Sequence, residues 1–104
     1  MNSIVTDRIP QLVELCKKYR VVRMYLFGSA ATDKFDEKKS DIDLLFSFSP
    51  ELTIAEYTDN YFDLHYALDD LFGRNVDLVA EETLSNPYLI ASVERTKQLI
   101  YGAA

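Results

Sequence analysis

Asp41 and Asp43 stand inside the apolar run "SDIDLLFSF", and Asp77 stands inside "NVDLVA". Side chains of a strand alternate between its faces, so Asp41, Asp43 and Leu45 share one face while Ile42, Leu44, Phe46 and Phe48 share the other. Carboxylates at such i, i+2 positions lie about 7 Å apart between Cα atoms and raise each other's pKa unless something positive sits between them. A divalent cation fits that need. Hard oxygen ligands suit Mg²⁺, with Mn²⁺ as its substitute, and Mg²⁺ typically takes one or two carboxylates and completes its octahedron with water and phosphate oxygens. If the two runs form neighbouring strands, Asp77 projects near Asp41 and Asp43. Three carboxylates on one sheet face could bind metal and activate an incoming hydroxyl as general base. Gly28-Ser29, closing the run "VVRMYLF", supplies a complementary part. Glycine allows close backbone approach, amides opening a short helical turn attract phosphate oxygens, and the Ser29 hydroxyl adds a donor.

The elements that must position these residues follow from periodicity and end signals. Ile9, Leu12, Val13 and Cys16 recur at helical spacing, with Thr6 or Asp7 as cap, Pro10 in the first turn and Lys17, Lys18 and Arg20 near the end. Val21 to Phe27 reads as a first strand, Ser29 to about Thr32 as a turn of helix, and Asp33 to Ser40 as a charged loop. Asp41 to Phe48 reads as a second strand. Thr53 caps a long helix from Ile54 to Phe72, which Gly73 ends. Asn75 to Ala80 is a third strand, and a last helix starts at Ser85 or Asn86, with Pro87 in its first turn, and runs to about Tyr101. The order implies an α+β fold with α/β-like alternation: a small mixed sheet of three to four strands packed with helices.

Composition narrows the function classes. A chain of 104 residues, 48% hydrophobic with seven Tyr and six Phe, is expected to form one domain, 1–104, with one core. The net charge of −6 argues against general nucleic-acid binding, which needs a basic footprint, but is compatible with a metal-bridged polyphosphate. The lone cysteine, Cys16, reads as a buried spectator. No apolar run approaches the ~18 residues of a membrane span and no signal-peptide pattern opens the chain, so the expectation is a cytoplasmic protein. The mixed charges Asp33, Lys34, Asp36, Glu37, Lys38 and Lys39 read as a solvated loop. His65 is placed away from the motif, and Tyr57, Tyr61, Tyr66 and Tyr88 sit mostly at core or half-buried spacing.

The conjunction "LFGSAATDKFDEKKSDIDLLF", followed by "NVDLV" and a terminal "QLIY", resembles the nucleotidyltransferase superfamily of DNA polymerase beta. Within it the chain looks most like the minimal, MNT-type domains of prokaryotic toxin–antitoxin modules, from about Val21 to Tyr101. The resemblance implies that Gly28 and Ser29 hold the nucleotide's phosphates, that Asp41 and Asp43 bind Mg²⁺, and that Asp77 is the third carboxylate, as ligand or base. It further implies transfer of AMP from ATP to a hydroxyl acceptor, a tyrosine of a HEPN-type toxin partner, with pyrophosphate released. Two features depart from the family pattern. Many relatives carry a basic residue after Gly-Ser and a glycine three further on, where this chain has Ala30 and Asp33, so Lys34, Lys38, Lys39 or Arg74 would have to compensate; the spacer to Asp41 is eleven residues rather than ten. The alternative is a catalytically degenerate binding module of the same fold that neutralises a partner by contact. Homo-oligomerisation stays open on either reading.

Overall fold

A computed structural model describes residues 1–32 and 41–103. The expected charged loop Asp33–Ser40, with Lys34, Lys38 and Lys39, lies outside the described residues. In chain order the elements are α1 (Ser3–Thr6), α2 (Ile9–Lys18), β1 (Val21–Phe27), a 3-10 turn (Gly28–Ala31), β2 (Ile42–Phe48), α3 (Ile54–Phe72), β3 (Val76–Ala80), a second 3-10 turn (Glu81–Thr83), α4 (Pro87–Thr96) and β4 (Gln98–Gly102). The sheet order is β3-β2-β1-β4. β1 is antiparallel to β2 and β4, whereas β2 and β3 are parallel, so the sheet is mixed as expected.

The alternation in β2 separates two apolar layers. Ile42, Leu44, Phe46 and Phe48 enter the larger core with Leu12 and Cys16 of α2 and Leu64, Leu68 and Phe72 of α3. Leu45 enters a smaller one with Tyr25, Phe27 and Val93 of α4. Cys16 is fully buried, and burial pushes its thiol up to about 12, so it stays protonated and unreactive. α3 begins with the capping box Thr53–Glu56 and ends on Gly73 at φ 63°.

The start of the chain differs from expectation. Asn2 caps a one-turn helix, accepting from the Ile4 amide at 2.9 Å, and Thr6 and Asp7 end that turn instead of capping α2. Arg8 precedes α2 without a side-chain cap and donates to the carbonyls of Ile4 and Leu71. It thereby fastens the N-terminal turn to the end of α3.

The end of the chain requires a larger correction. Asn86 does cap α4, with Pro87 in its first turn, but the helix stops at Thr96 and the expected stretch to Tyr101 is mostly β4. Lys97 leaves the helical region at ψ 138°, and Leu26, Tyr25 and Met24 then pair with Gln98, Leu99 and Tyr101. Without β4 the outer backbone groups of β1 would lack this ladder, and unpaired buried amides are costly.

The opposite edge is closed by side chains. Tyr61, His65 and Asp69, one turn apart on α3, meet outward backbone groups of β3. Tyr61 Oη donates to the Leu78 carbonyl at 3.3 Å, His65 Nε2 donates to the Val76 carbonyl at 2.8 Å, and Asp69 accepts from the Val76 amide at 2.9 Å. Such cover blunts an edge that would otherwise template further strand pairing. Tyr57 and Tyr61 are half-buried as expected, but Tyr66 and Tyr88 are 70% and 87% exposed. Replacing Asp69 by Ala should cost roughly 1–2 kcal/mol, because it strands the Val76 amide. Urea unfolding monitored by circular dichroism measures this.

Candidate functional site

Register brings two of the predicted residues, Asp43 and Asp77, level with each other. Asp43 of β2 lies opposite Phe27 of β1 and opposite Asp77 of β3. Asp41 immediately precedes β2, which starts at Ile42, so it lies beside the sheet instead of within the ladder. Phe27 leads directly into Gly28, which adopts φ 73°. A Cβ built on Gly28 would stand 2.3 Å from Asp43 Oδ2, so the turn and the carboxylate are in direct apposition. No side chain larger than hydrogen fits there while the carboxylate holds its place.

Asp43 is partly buried, whereas Asp41 and Asp77 are exposed. Burial, then the charge of Asp77, then that of Asp41 push the Asp43 carboxyl from its ordinary 3.8 up to about 6. The charges of Asp77 and Asp41 therefore both act on Asp43, and among the described residues no cation offsets that effect. Among the described residues, no group of three or more His, Cys, Asp and Glu side chains is arranged to hold a metal ion as it stands. Like charges without a counter-ion favour separation. The donor set nonetheless fits a hard divalent cation: all-oxygen ligands, a carboxyl destabilised as an anion, and a requirement of only one or two carboxylates when water and phosphate complete the shell.

Asp41 and Asp77 also line an open polar cleft of about 340 Å³ with His65, Asp69, Asn75 and Val76. His65 is thus nearer the carboxylates than its place in the long helix suggested, although its Nε2 is engaged by the Val76 carbonyl. Ala30 is fully buried and faces the larger core, where it brings no charge to the turn. Arg74, a candidate compensating cation, is partly buried in the turn between α3 and β3.

One contact was not visible in the sequence. The Gly28 amide donates to Thr96 Oγ1 at 2.9 Å, although the two residues are 68 apart.

Comparison with known proteins gives this geometry a family context. The model of the nucleotidyltransferase domain matches residues 10–100. A protein of Methanocaldococcus jannaschii named "Putative protein adenylyltransferase MJ0128" is 40% identical over 87 residues, which is 84% of this chain and 82% of that protein. A solved structure named as a "putative minimal nucleotidyltransferase" superposes with a TM-score of 0.70 at 31% identity, over 94% of this chain and 95% of the other. A chain of the Shewanella oneidensis complex of a tri-AMPylated HEPN toxin with an MNT antitoxin shares the fold, with a TM-score of 0.59 at 22% identity over 94% of this chain and 72% of that one.

Two measurements probe the Gly28–Asp43 apposition. Gly28→Ala should lose about 2 kcal/mol from its left-handed φ and the displaced carboxylate, and about 1 kcal/mol of that loss should vanish in an Asp43→Ala background. A double-mutant cycle in urea reads the coupling. The second concerns pH. Because the folded pKa of Asp43 lies above the ordinary value, the folded state binds more protons between about pH 4 and 6, and stability falls as pH rises through that window. Asp43→Asn removes this loss. It should be more stable than the parent by roughly 1–2 kcal/mol at pH 7, discounted for partial exposure, with the gain gone below pH 4. Thermal unfolding across that range checks the sign.

Proposed function

The chain belongs to the nucleotidyltransferase domain family, and on that premise we propose that it transfers AMP from ATP to a hydroxyl acceptor, a tyrosine of a HEPN-type partner. The observation that carries this reading is the apposition of Gly28 to the Asp43 carboxylate, with Asp77 as its register partner. A relative named for protein adenylyltransfer and a neighbour in a complex with an AMPylated HEPN toxin support the choice of AMP and of a protein acceptor.

In this reading Gly28 and Ser29 hold the triphosphate, and Asp41, Asp43 and Asp77 form the acidic side of the site. Asp41 and Asp43, with Asp77 as a third ligand or as base, would hold Mg²⁺, or Mn²⁺ in its place, which supplies charge neutralisation of the phosphates when bound. The acceptor oxygen forms a bond to the α-phosphorus as the bond to the pyrophosphate oxygen breaks. The acceptor proton passes to a carboxylate, and pyrophosphate carries away the displaced electron pair. The raised Asp43 pKa gives a reason for the pairing of charges: a carboxyl that is a poor anion alone becomes a good ligand once cation and phosphate arrive together. The acidic balance of the chain, −6, complements a basic partner, and exposed Tyr66 and Tyr88 are residue types that favour interfaces.

The buried Ala30, at a position where the resemblance implies a basic residue, favours the second reading of a degenerate module that neutralises its partner by contact. The two readings separate experimentally. Asp43→Asn should reduce label transfer from α-labelled ATP to the co-purified partner by at least about a hundredfold, with the far-ultraviolet spectrum unchanged. Undiminished transfer defeats the first reading. The Asp41→Ala, Asp43→Ala double variant should fail to protect cells from the partner while still binding it; continued protection supports the contact mechanism instead.

A further inference from the structure

We propose that Thr96 is a positioning residue for the nucleotide site, its hydroxyl clamping the Gly28 peptide so that the Gly28-Ser29 turn stays seated against Asp43. The inference rests on the nucleotidyltransferase reading of that turn. It begins with a property of glycine: the residue permits φ 73° but does not enforce it, since glycine populates both signs of φ about equally. Something outside the turn must select the conformation.

Thr96 is built for that selection. Its hydroxyl donates to the Ser92 carbonyl at 2.7 Å, one helical turn back, which fixes the rotamer and commits the proton. The oxygen then accepts from the Gly28 amide at 2.9 Å. The donor and acceptor capacities of one hydroxyl are thus used in opposite directions, and both bonds are partly buried. The platform is held from two sides. The Lys97 amide closes α4 on the Val93 carbonyl at 2.8 Å, and the next residue, Gln98, pairs with Leu26 of β1. α4 and β4 therefore hold Thr96 in register with the strand that ends at Gly28.

A consequence follows for ligand binding. The Gly28 amide already has a protein partner, so within the Gly28-Ser29 pair Gly28 would contribute the close backbone approach and Ser29 the donor to phosphate, and Thr96 would act without touching the ligand. Serine can reproduce both hydrogen bonds, whereas valine keeps the shape and loses both.

The test uses protein labelled with ¹⁵N-glycine, which contains three glycines, Gly28, Gly73 and Gly102. In Thr96→Val the Gly28 amide should exchange with solvent at least about fivefold faster, from the loss of one hydrogen bond. The Gly73 amide, bonded to the Asp69 carbonyl at 2.9 Å, should keep its rate and so report an intact fold. Thr96→Ser should match the parent, and Thr96→Ala provides a second hydroxyl-free variant should valine disturb packing. Calorimetric titration with Mg²⁺ and an ATP analogue bridged by methylene between the α and β phosphorus should show about tenfold weaker binding for the valine and alanine variants only. Unchanged Gly28 exchange in both, or unchanged affinity once exchange has quickened, overturns the inference and leaves the transferase reading standing. Failure of the parent protein to bind the analogue overturns both.

Discussion

Gly28 lacks a side chain at the point where the Asp43 carboxylate fills the space that a side chain would need, with a hypothetical Cβ only 2.3 Å from Oδ2. The antiparallel register that sets Phe27 against Asp43 brings the residue after Phe27 close to the same carboxylate. The turn and the acid therefore form one unit. Any residue with a Cβ at position 28 would push the carboxylate aside or move the end of β1, and either change would separate the proposed phosphate-holding turn from the proposed metal-holding acid.

The rest of the sheet serves this contact. β2 lies between β1 and β3, and its apolar residues enter cores on both faces, so its register is set by burial as well as by backbone pairing. A slip by one residue would exchange the aspartates for leucine and isoleucine. Parallel pairing with β3 places Asp77 level with Asp43, and this is where the electrostatic strain arises. A carboxyl pushed up to about 6 by burial and two neighbouring charges disfavours its own ionisation. Such an arrangement makes physical sense where a counter-charge is supplied from outside, as the proposed function requires.

The two edges of the sheet are treated differently. Side chains of α3 close β3, using Tyr61, His65 and Asp69 on successive turns. β4 closes the outer side of β1 and carries the chain past Thr96, which ties α4 to Gly28. His65, the residue type most often associated with proton transfer near neutral pH, is thus engaged in edge protection beside the cleft.

The amino-acid sequence by itself determined the strands β1, β2 and β3, the long helix with its caps, the two faces of β2 and the expectation that Gly28, Asp43 and Asp77 lie together. These depend on local periodicity, end signals and motif spacing, which are written in short stretches of chain. The start of the chain and the segment after Thr96 were not legible in that way. Asn2 begins a helical turn before Thr6 or Asp7 can cap one, and "QLIYG" has an apolar pattern too short to distinguish strand from helix. Only the unpaired side of β1 decided the second case. The same holds for Thr96 and for the closeness of His65 to the carboxylates. Hydrogen bonds between residues far apart in sequence leave no local pattern, and tertiary packing alone determines which atoms meet.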